Sequence, residues 1–310
     1  MRPTDLRQAP WVGVGKSVLG SLTAQEAITA AKLDWTVSKR DVYKDSVFGI
    51  QKVDKFKAVT RDDDETVLAI MKDTYHPLQN KDAFQFFDKF IGKDMASFDS
   101  AGSMKDGKVI WVLANLDRDP VDLGGGDTIN KYLLLANGHH GKLSTQVSFC
   151  PNRFACGNAL ARILNRSKRI RIRHSLQGKD NLTEVQDIIN AADASFEATA
   201  EQYKYLASKQ INTKDLEKYV KIIFKTSELN ISRSKKMREA ITNLFENGAG
   251  AHLKSSRGTW WGAYNAISNF LTHESGSVRT TKENRLYSNW FGPAQVKNDE
   301  AFSVALVGVD

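Results

Sequence analysis

"ASFDSAGSMKDGKVIWVLANL" (residues 96–116) consists of two apolar runs separated by a short polar break at Asp106-Gly107. Both central residues of a type I′ turn take positive φ, which Asp-Gly tolerates, so the stretch predicts a β-hairpin. A second hairpin follows in "NKYLLLANGHHGKLSTQVSF" (130–149), where two strands pair across "NGHHGK". Upstream, "DWTVSKRDVY", "VFGIQ", "KFKAVTR" and "TVLAIMK" read as three or four short strands, with "RDDDE" as a solvated hairpin turn. Two helices punctuate these strands. "TAQEAITAAKL" opens with Thr23 three residues before Glu26, a capping box. "NKDAFQFFDKFIG" has Asn80 as its cap, Phe84, Phe87 and Ile91 on one stripe and Gly92 past its end. "RFACGNALARILNR" predicts a third helix, with Cys156, Leu160, Ile163 and Leu164 inward and Arg162 and Arg166 outward.

From about residue 180 the hydrophobic period becomes helical, first in "LTEVQDIINAADASFEATAEQYKYLASKQI" and then over 213–226, 232–247 and 258–273. The expected fold class is α+β: an antiparallel meander and hairpins with packed helices in the N-terminal half, then a mainly helical C-terminal half. The expected divisions are a loose arm (1–22), an α+β domain (23–179), a helical domain (180–273) and a partly docked tail (274–310). No run approaches the roughly 18 to 20 apolar residues of a membrane span, and "MRPTDLRQAPW" has no apolar signal core, so a soluble, non-secreted protein is expected. Cys150 and Cys156 are then expected as reduced, packed thiols.

The net charge of +8 is unevenly placed. Residues 1–100 hold 15 basic and 15 acidic side chains, whereas residues 128–179 contain ten basic residues and no acidic one. Within that window "SKRIRIRH" (167–174) alternates isoleucine with arginine, so Arg169, Arg171 and Arg173 would share one face of a strand. With Lys142, Arg153, Arg162, Arg166 and Lys168 they form the candidate nucleic-acid surface, since Lys and Arg side chains neutralise phosphates and release counterions. The plainer reading is a solvated face, or arginines paired with carboxylates of the first 100 residues; the absence of any acid inside the window excludes neutralisation by sequence neighbours there.

Other motifs offer less. "GVGKS" (13–17) lacks the leading glycine and the strand of a phosphate-binding loop. His139, His140, Cys150 and Cys156 match no common zinc spacing, and Asp62, Asp63, Asp64 and Glu65 read as a hairpin tip before they read as a Mg²⁺ site. No Gly-x-Ser-x-Gly elbow marks a nucleophile. Trp260, Trp261, Tyr264 and Phe270 could stack bases, but their helical spacing favours core.

In order along the chain, "LTAQEAITAAKLDWTVSKRDVY", "YHPLQNKDAFQFFDKFIG", "SAGSMKDGKVIWVLANL", "KYLLLANGHHGKLSTQVSFCPNRFACGNALA", "RIRHS", "GTWWGAYNAISNFLTH" and "RLYSNWFG" resemble the phage/plasmid-like proteins grouped under domain of unknown function 932. That family usually has His-Asp-Gly in the hairpin turn and a Cys-Gln-Asn-like triplet after it. Here His139-His140-Gly141-Lys142 and Cys156-Gly157-Asn158 stand instead, which weakens any catalytic or metal role for the turn. The resemblance implies a phage or plasmid gene and a bacterial cytoplasm. The element order is also similar to the cores of single-strand annealing proteins, an analogy of fold alone. The leading expectation is a non-enzymatic single-stranded DNA binder that promotes annealing in recombination or replication. It would need no cofactor and no metal and would act as a homo-oligomer, with duplex DNA or RNA as other ligands and a phage exonuclease or single-strand-binding protein as a partner. The alternative is a protein-interaction or host-takeover factor; a metal-dependent nuclease is the third.

Overall fold

The computed structural model describes residues 8–21, 23–91, 96–116, 120–159, 170–171, 181–225 and 231–309. The first half runs β1 (Lys16–Ser17), α1 (Ala24–Ala31), β2 (Val37–Lys44), β3 (Gln51–Arg61), β4 (Val67–Lys72), α2 (Asn80–Ile91), β5 (Ser97–Met104), β6 (Val109–Asn115), β7 (Val121–Asp122), β8 (Thr128–Gly138), β9 (Gln146–Arg153), β10 (Asn158–Ala159) and β11 (Ile170–Arg171). The second runs α3 (Asn181–Ser208), α4 (Thr213–Phe224), α5 (Ile231–Asn247), α6 (Trp260–Asn269), α7 (Lys282–Phe291) and α8 (Pro293–Val307). The α+β class with an antiparallel first half and a helical second half is therefore what the chain adopts. Among the described residues no helix is long and apolar enough to cross a membrane.

The main sheet has the order β1-β5-β6-β8-β9-β10, with β7 beside β8 and β11 beside β9; β2, β3 and β4 form a separate sheet. At the β5–β6 hairpin Asp106 and Gly107 have φ of 57° and 84°, and Lys108 N–H donates to the Lys105 carbonyl at 3.2 Å. Lys105 is left-handed too (φ 56°), and its N–H donates to Glu283 of α7 at 2.8 Å, which ties the turn to the C-terminal helices.

Strand alternation sorts β6 into two cores. Ile110, Val112 and Ala114 join the cluster under α1, α2 and α3, with Ile28, Phe84, Leu133, Phe149 and Phe196. Val109, Trp111 and Leu113 join the opposite cluster, with Trp11, Leu134, Leu286 and Trp290. A strand covered on both faces reads as an unbroken apolar run, which is why "VIWVLA" shows little alternation. A third cluster, around Tyr203, Tyr219, Trp261 and Ile267, belongs to the helical half.

Several expectations hold locally. Thr23 caps α1 by accepting from Glu26 N–H at 3.2 Å, and both cysteines are buried thiols outside any disulfide. Helices α4, α5 and α6 fall close to their expected spans.

Others need correction. Residues 8–21 of the supposed loose arm are docked: Trp11 is buried, β1 pairs with β5, and Gly15 lies against Trp111, where a Cβ would come within 2.5 Å of the ring. Gly15 of "GVGKS" thus serves packing. "VFGIQ" is chiefly the connection between β2 and β3, because β3 begins only at Gln51. Asn80 is the first residue of α2 rather than its cap, and its side chain donates to the Leu33 and Trp35 carbonyls at 2.9 and 3.2 Å. The helix expected from Arg153 does not start there: Arg153 ends β9, residues 154–157 turn, and Asn158–Ala159 returns as β10.

The tail docks through Leu286 and Trp290, and Trp290 meets Trp111 edge-on at 5.0 Å and Trp11 at 6.3 Å. Trp290→Ala should cost about 3–5 kcal/mol by removing a buried ring from between two others, read as a lower denaturant midpoint at unchanged slope.

Candidate nucleic-acid interface and the ion pair beneath it

The eight expected phosphate-binding residues do not share one fate. Lys142 is exposed in the turn between β8 and β9. Arg171 sits in β11, where its backbone pairs with Gln146 and that of Ile170 with Val147, so the arginine segment joins the edge of β9 four residues beyond Lys142. Arg162, Arg166, Lys168, Arg169 and Arg173 lie outside the described residues.

Arg153 does not belong to the surface. Its side chain is 1% exposed, and its partner Asp127 is 0% exposed. Nε and Nη2 donate to the two Asp127 oxygens at 2.7 Å each, in the fork geometry that makes arginine–carboxylate pairs strong. Nη2 also donates to Ser256 Oγ at 2.6 Å and to the Gly250 carbonyl at 3.3 Å. Asp127 accepts in addition from Ser255 Oγ at 2.6 Å and Trp261 Nε1 at 2.9 Å. The acid-free window therefore misled: Asp127 lies one residue outside it and neutralises an arginine inside it. Sequence proximity was the wrong measure, because β8 and β9 bring the two together across the sheet.

This pair is the join between the halves. Asn158 extends it by donating to the Asn265 carbonyl at 3.1 Å, while the Asn265 amide donates to the Trp261 carbonyl at 2.9 Å. Cys156 lies beside the guanidinium, yet burial pushes its thiol up against the pull of Arg153, so it stays protonated. Trp260, Trp261 and Tyr264 are buried, with Trp261 at 4.8 Å from Tyr203 and Trp260 at 5.3 Å from Tyr219. That segment is core, as its spacing predicts.

The remaining candidates sit in other surroundings. His139 is buried; its Nε2 lies 2.9 Å from Asn80 Oδ1 and its ring 5.4 Å from Trp35. Burial, then the neighbouring His140, lowers its pKa to about 4. Cys150 packs in the Trp11–Trp111 cluster, apart from Cys156, and among the described residues no three His, Cys, Asp or Glu side chains are grouped to hold a metal. In the acidic turn, Asp62 accepts from Ser38 and Thr36 at 2.6 and 2.7 Å, hydrogen bonds that hold its carboxyl below the usual range. Asp63 pairs with Arg61 at 2.5 Å, and Asp64 accepts from Thr66 N–H at 3.0 Å.

An unfolded histidine titrates near 6.5 and His139 in the fold near 4, so between these values the unfolded chain binds more protons. Stability should fall as pH drops from about 6.5 to 4, by about 3 kcal/mol in all from this residue. His139→Gln should lose less between pH 7 and 4.5 in urea unfolding than the native chain does; an equal loss would remove His139 as the cause.

One surface was missed in the sequence. The β2–β3 hairpin carries Tyr43 and Phe56 exposed along its strands, and its tip presents Val47, Phe48 and Ile50 at 93%, 87% and 79% exposure. Lys44, Lys52 and Lys55 are exposed among them, Lys52 paired with Asp41 at 2.8 Å. The signal was available in three large apolar residues around Gly49, a turn former, but a strand reading absorbed them.

These features define an α+β protein whose helical half is locked onto a two-faced antiparallel sheet by a buried arginine–aspartate pair. The model of one family, described as Domain of unknown function (DUF932), matches residues 67–290, from β4 to Trp290. The chain belongs to that family. No curated protein and no solved structure matches it.

Proposed function

We propose that the protein binds nucleic acid, single-stranded DNA foremost, and promotes annealing of complementary strands during phage or plasmid recombination or replication in the bacterial cytoplasm. The observation that carries this reading is the 52-residue acid-free window with its ten basic side chains, of which, among the described residues, Arg153 is withdrawn by a buried carboxylate. Lys142 and the β11 backbone lie near one another at one edge of the sheet, in support. Exposed Tyr43, Phe48 and Phe56 beside lysines offer rings on which unpaired bases stack, an interaction worth about 1–3 kcal/mol per base. Binding and annealing of this kind need no bound cofactor, and a second copy of the chain, an exonuclease or a single-strand-binding protein would be natural partners.

The test is binding of a labelled single-stranded oligonucleotide over a salt titration, with duplex DNA and RNA as competitors, followed by an annealing assay. Affinity should fall steeply with salt, because each neutralised phosphate releases counterions. Absence of binding to all three at about 50 mM salt would sink the proposal.

The hairpin tip also favours a second reading. Val47, Phe48 and Ile50 are more exposed than a chain without a partner needs, so they could anchor a protein contact. A host protein held by the native chain and lost with Phe48→Ser, together with no nucleic-acid binding, selects that reading.

A further inference from the structure

The helical half contains a cleft of about 580 Å³, within the usual size range of small-molecule sites. Its apolar wall is Phe224 at the end of α4, Met237 of α5 and Phe270 beyond α6, all half-buried. Phe224 and Phe270 meet edge-on at 5.8 Å. Its charged groups are Lys236, Arg285, Lys297 and Glu274.

The wall is shaped by a π-helical turn, Phe270–Glu274, which continues α6. A π turn displaces carbonyls from the regular ladder and is frequent at functional sites. Here the Leu271 carbonyl is taken by Ser275 Oγ at 2.7 Å and by the Asn289 amide at 3.1 Å, which fixes the turn against α7.

Two of the cations are held in place without being neutralised. Lys297 Nζ donates to the Ile223 carbonyl at 3.1 Å and lies 5.2 Å from the Phe224 ring centroid. Among the described residues Arg285 donates through Nε, to the Ser275 carbonyl at 3.0 Å, and both terminal nitrogens keep their hydrogens for another acceptor. Lys236 is exposed at the rim. Among the described residues none of the three is in an ion pair, and with Glu274 they leave the cleft positive. An apolar, ring-lined wall with an arginine fork and two lysines in the same cleft, Lys297 beside the Phe224 ring, suits a ligand with a flat apolar body and a phosphate.

We propose that this cleft binds a nucleotide, its base against Phe224, Met237 and Phe270 and its phosphate between Arg285, Lys297 and Lys236. Thr280, Asn284 and Ser288 line the same cleft and supply hydrogen-bonding groups for the sugar. The nucleotide is either free or the 5′-phosphorylated end of a strand, which share this chemistry. The cleft uses no residue of the basic window, so it stands or falls separately from the single-strand binding proposed above.

The experiment is calorimetric titration of the full chain with deoxyadenosine 5′-monophosphate, inorganic phosphate, and one short oligonucleotide in 5′-phosphorylated and 5′-hydroxyl forms. The nucleotide should bind, and phosphate alone should bind at least about tenfold more weakly, since it leaves the apolar wall unused. Preference for the 5′-phosphorylated strand over the 5′-hydroxyl one assigns the strand end; equal binding of the two strands with binding of the mononucleotide assigns the free nucleotide. Lys297→Met with Arg285→Met should weaken nucleotide binding about tenfold or more, as loss of charged hydrogen bonds does. If that double variant melts early, Lys236→Met, at an exposed rim position, should still weaken binding severalfold. No heat of binding for the mononucleotide or the phosphorylated strand, or affinity unchanged by all these substitutions, overturns the proposal.

Discussion

Arg153→Met should lower the stability of the folded chain by about 3–5 kcal/mol, the usual cost of leaving one member of a buried ion pair without its partner. Asp127 is fully buried and, among the described residues, would be left with Ser255 and Trp261 as its side-chain donors, having lost two 2.7 Å bonds from arginine. Asp127→Leu should cost a similar amount, because it strands a buried guanidinium and orphans the Trp261 N–H. The double variant should recover part of the sum, since neither charge is then left alone, giving a coupling energy of about 2 kcal/mol or more. Denaturant unfolding at constant slope measures all three, and Lys142→Met, on the exposed turn, should shift stability by no more than about 0.5 kcal/mol. Since the pair also reaches Gly250 and Ser256, the single variants should loosen the helical half from the sheet and expose Trp261 to quenchers before global unfolding. An Arg153→Met chain as stable as the native one would show that the pair is dispensable.

What could be read from sequence was what local rules govern. Thr23 and Glu26 marked a helix start because the hydrogen bond that caps it spans three residues. Asp106-Gly107 marked a turn because few residues accept positive φ. The helices after residue 180 announced themselves through the period of their buried stripe. Long-range pairing was not legible. Nothing near Arg153 points to Asp127, and nothing near Trp11 points to Trp290, because register and layer order are decided by the whole sheet. The same blindness made "RFACGN" look helical: its apolar residues fit a 3.6-residue period, yet Arg153 and Asn158 are held by partners more than 90 residues away. The exposed hairpin tip was hidden for the opposite reason. "VFGI" has strand composition, and composition cannot say that a segment lacks a partner strand.

Changing Arg169, Arg171 and Arg173 together to glutamate should reduce binding of a single-stranded oligonucleotide at about 50 mM salt by at least about 100-fold. Each phosphate contact on a single strand contributes about 0.7 to the slope of log affinity against log salt, so loss of three should flatten that slope by about 2. The slope matters more than the affinity. A variant that binds weakly because it is misfolded loses active protein at every salt concentration, whereas loss of counterion release changes the salt dependence itself. Unchanged unfolding would complete the separation. Phe48→Ala should act differently: stacking is short-ranged and uncharged, so affinity should fall about fivefold or more with the slope retained. If instead the triple variant keeps both its affinity and its slope while Phe48→Ala abolishes binding, the nucleic acid lies on the β2–β3 hairpin and the arginine strand is only surface.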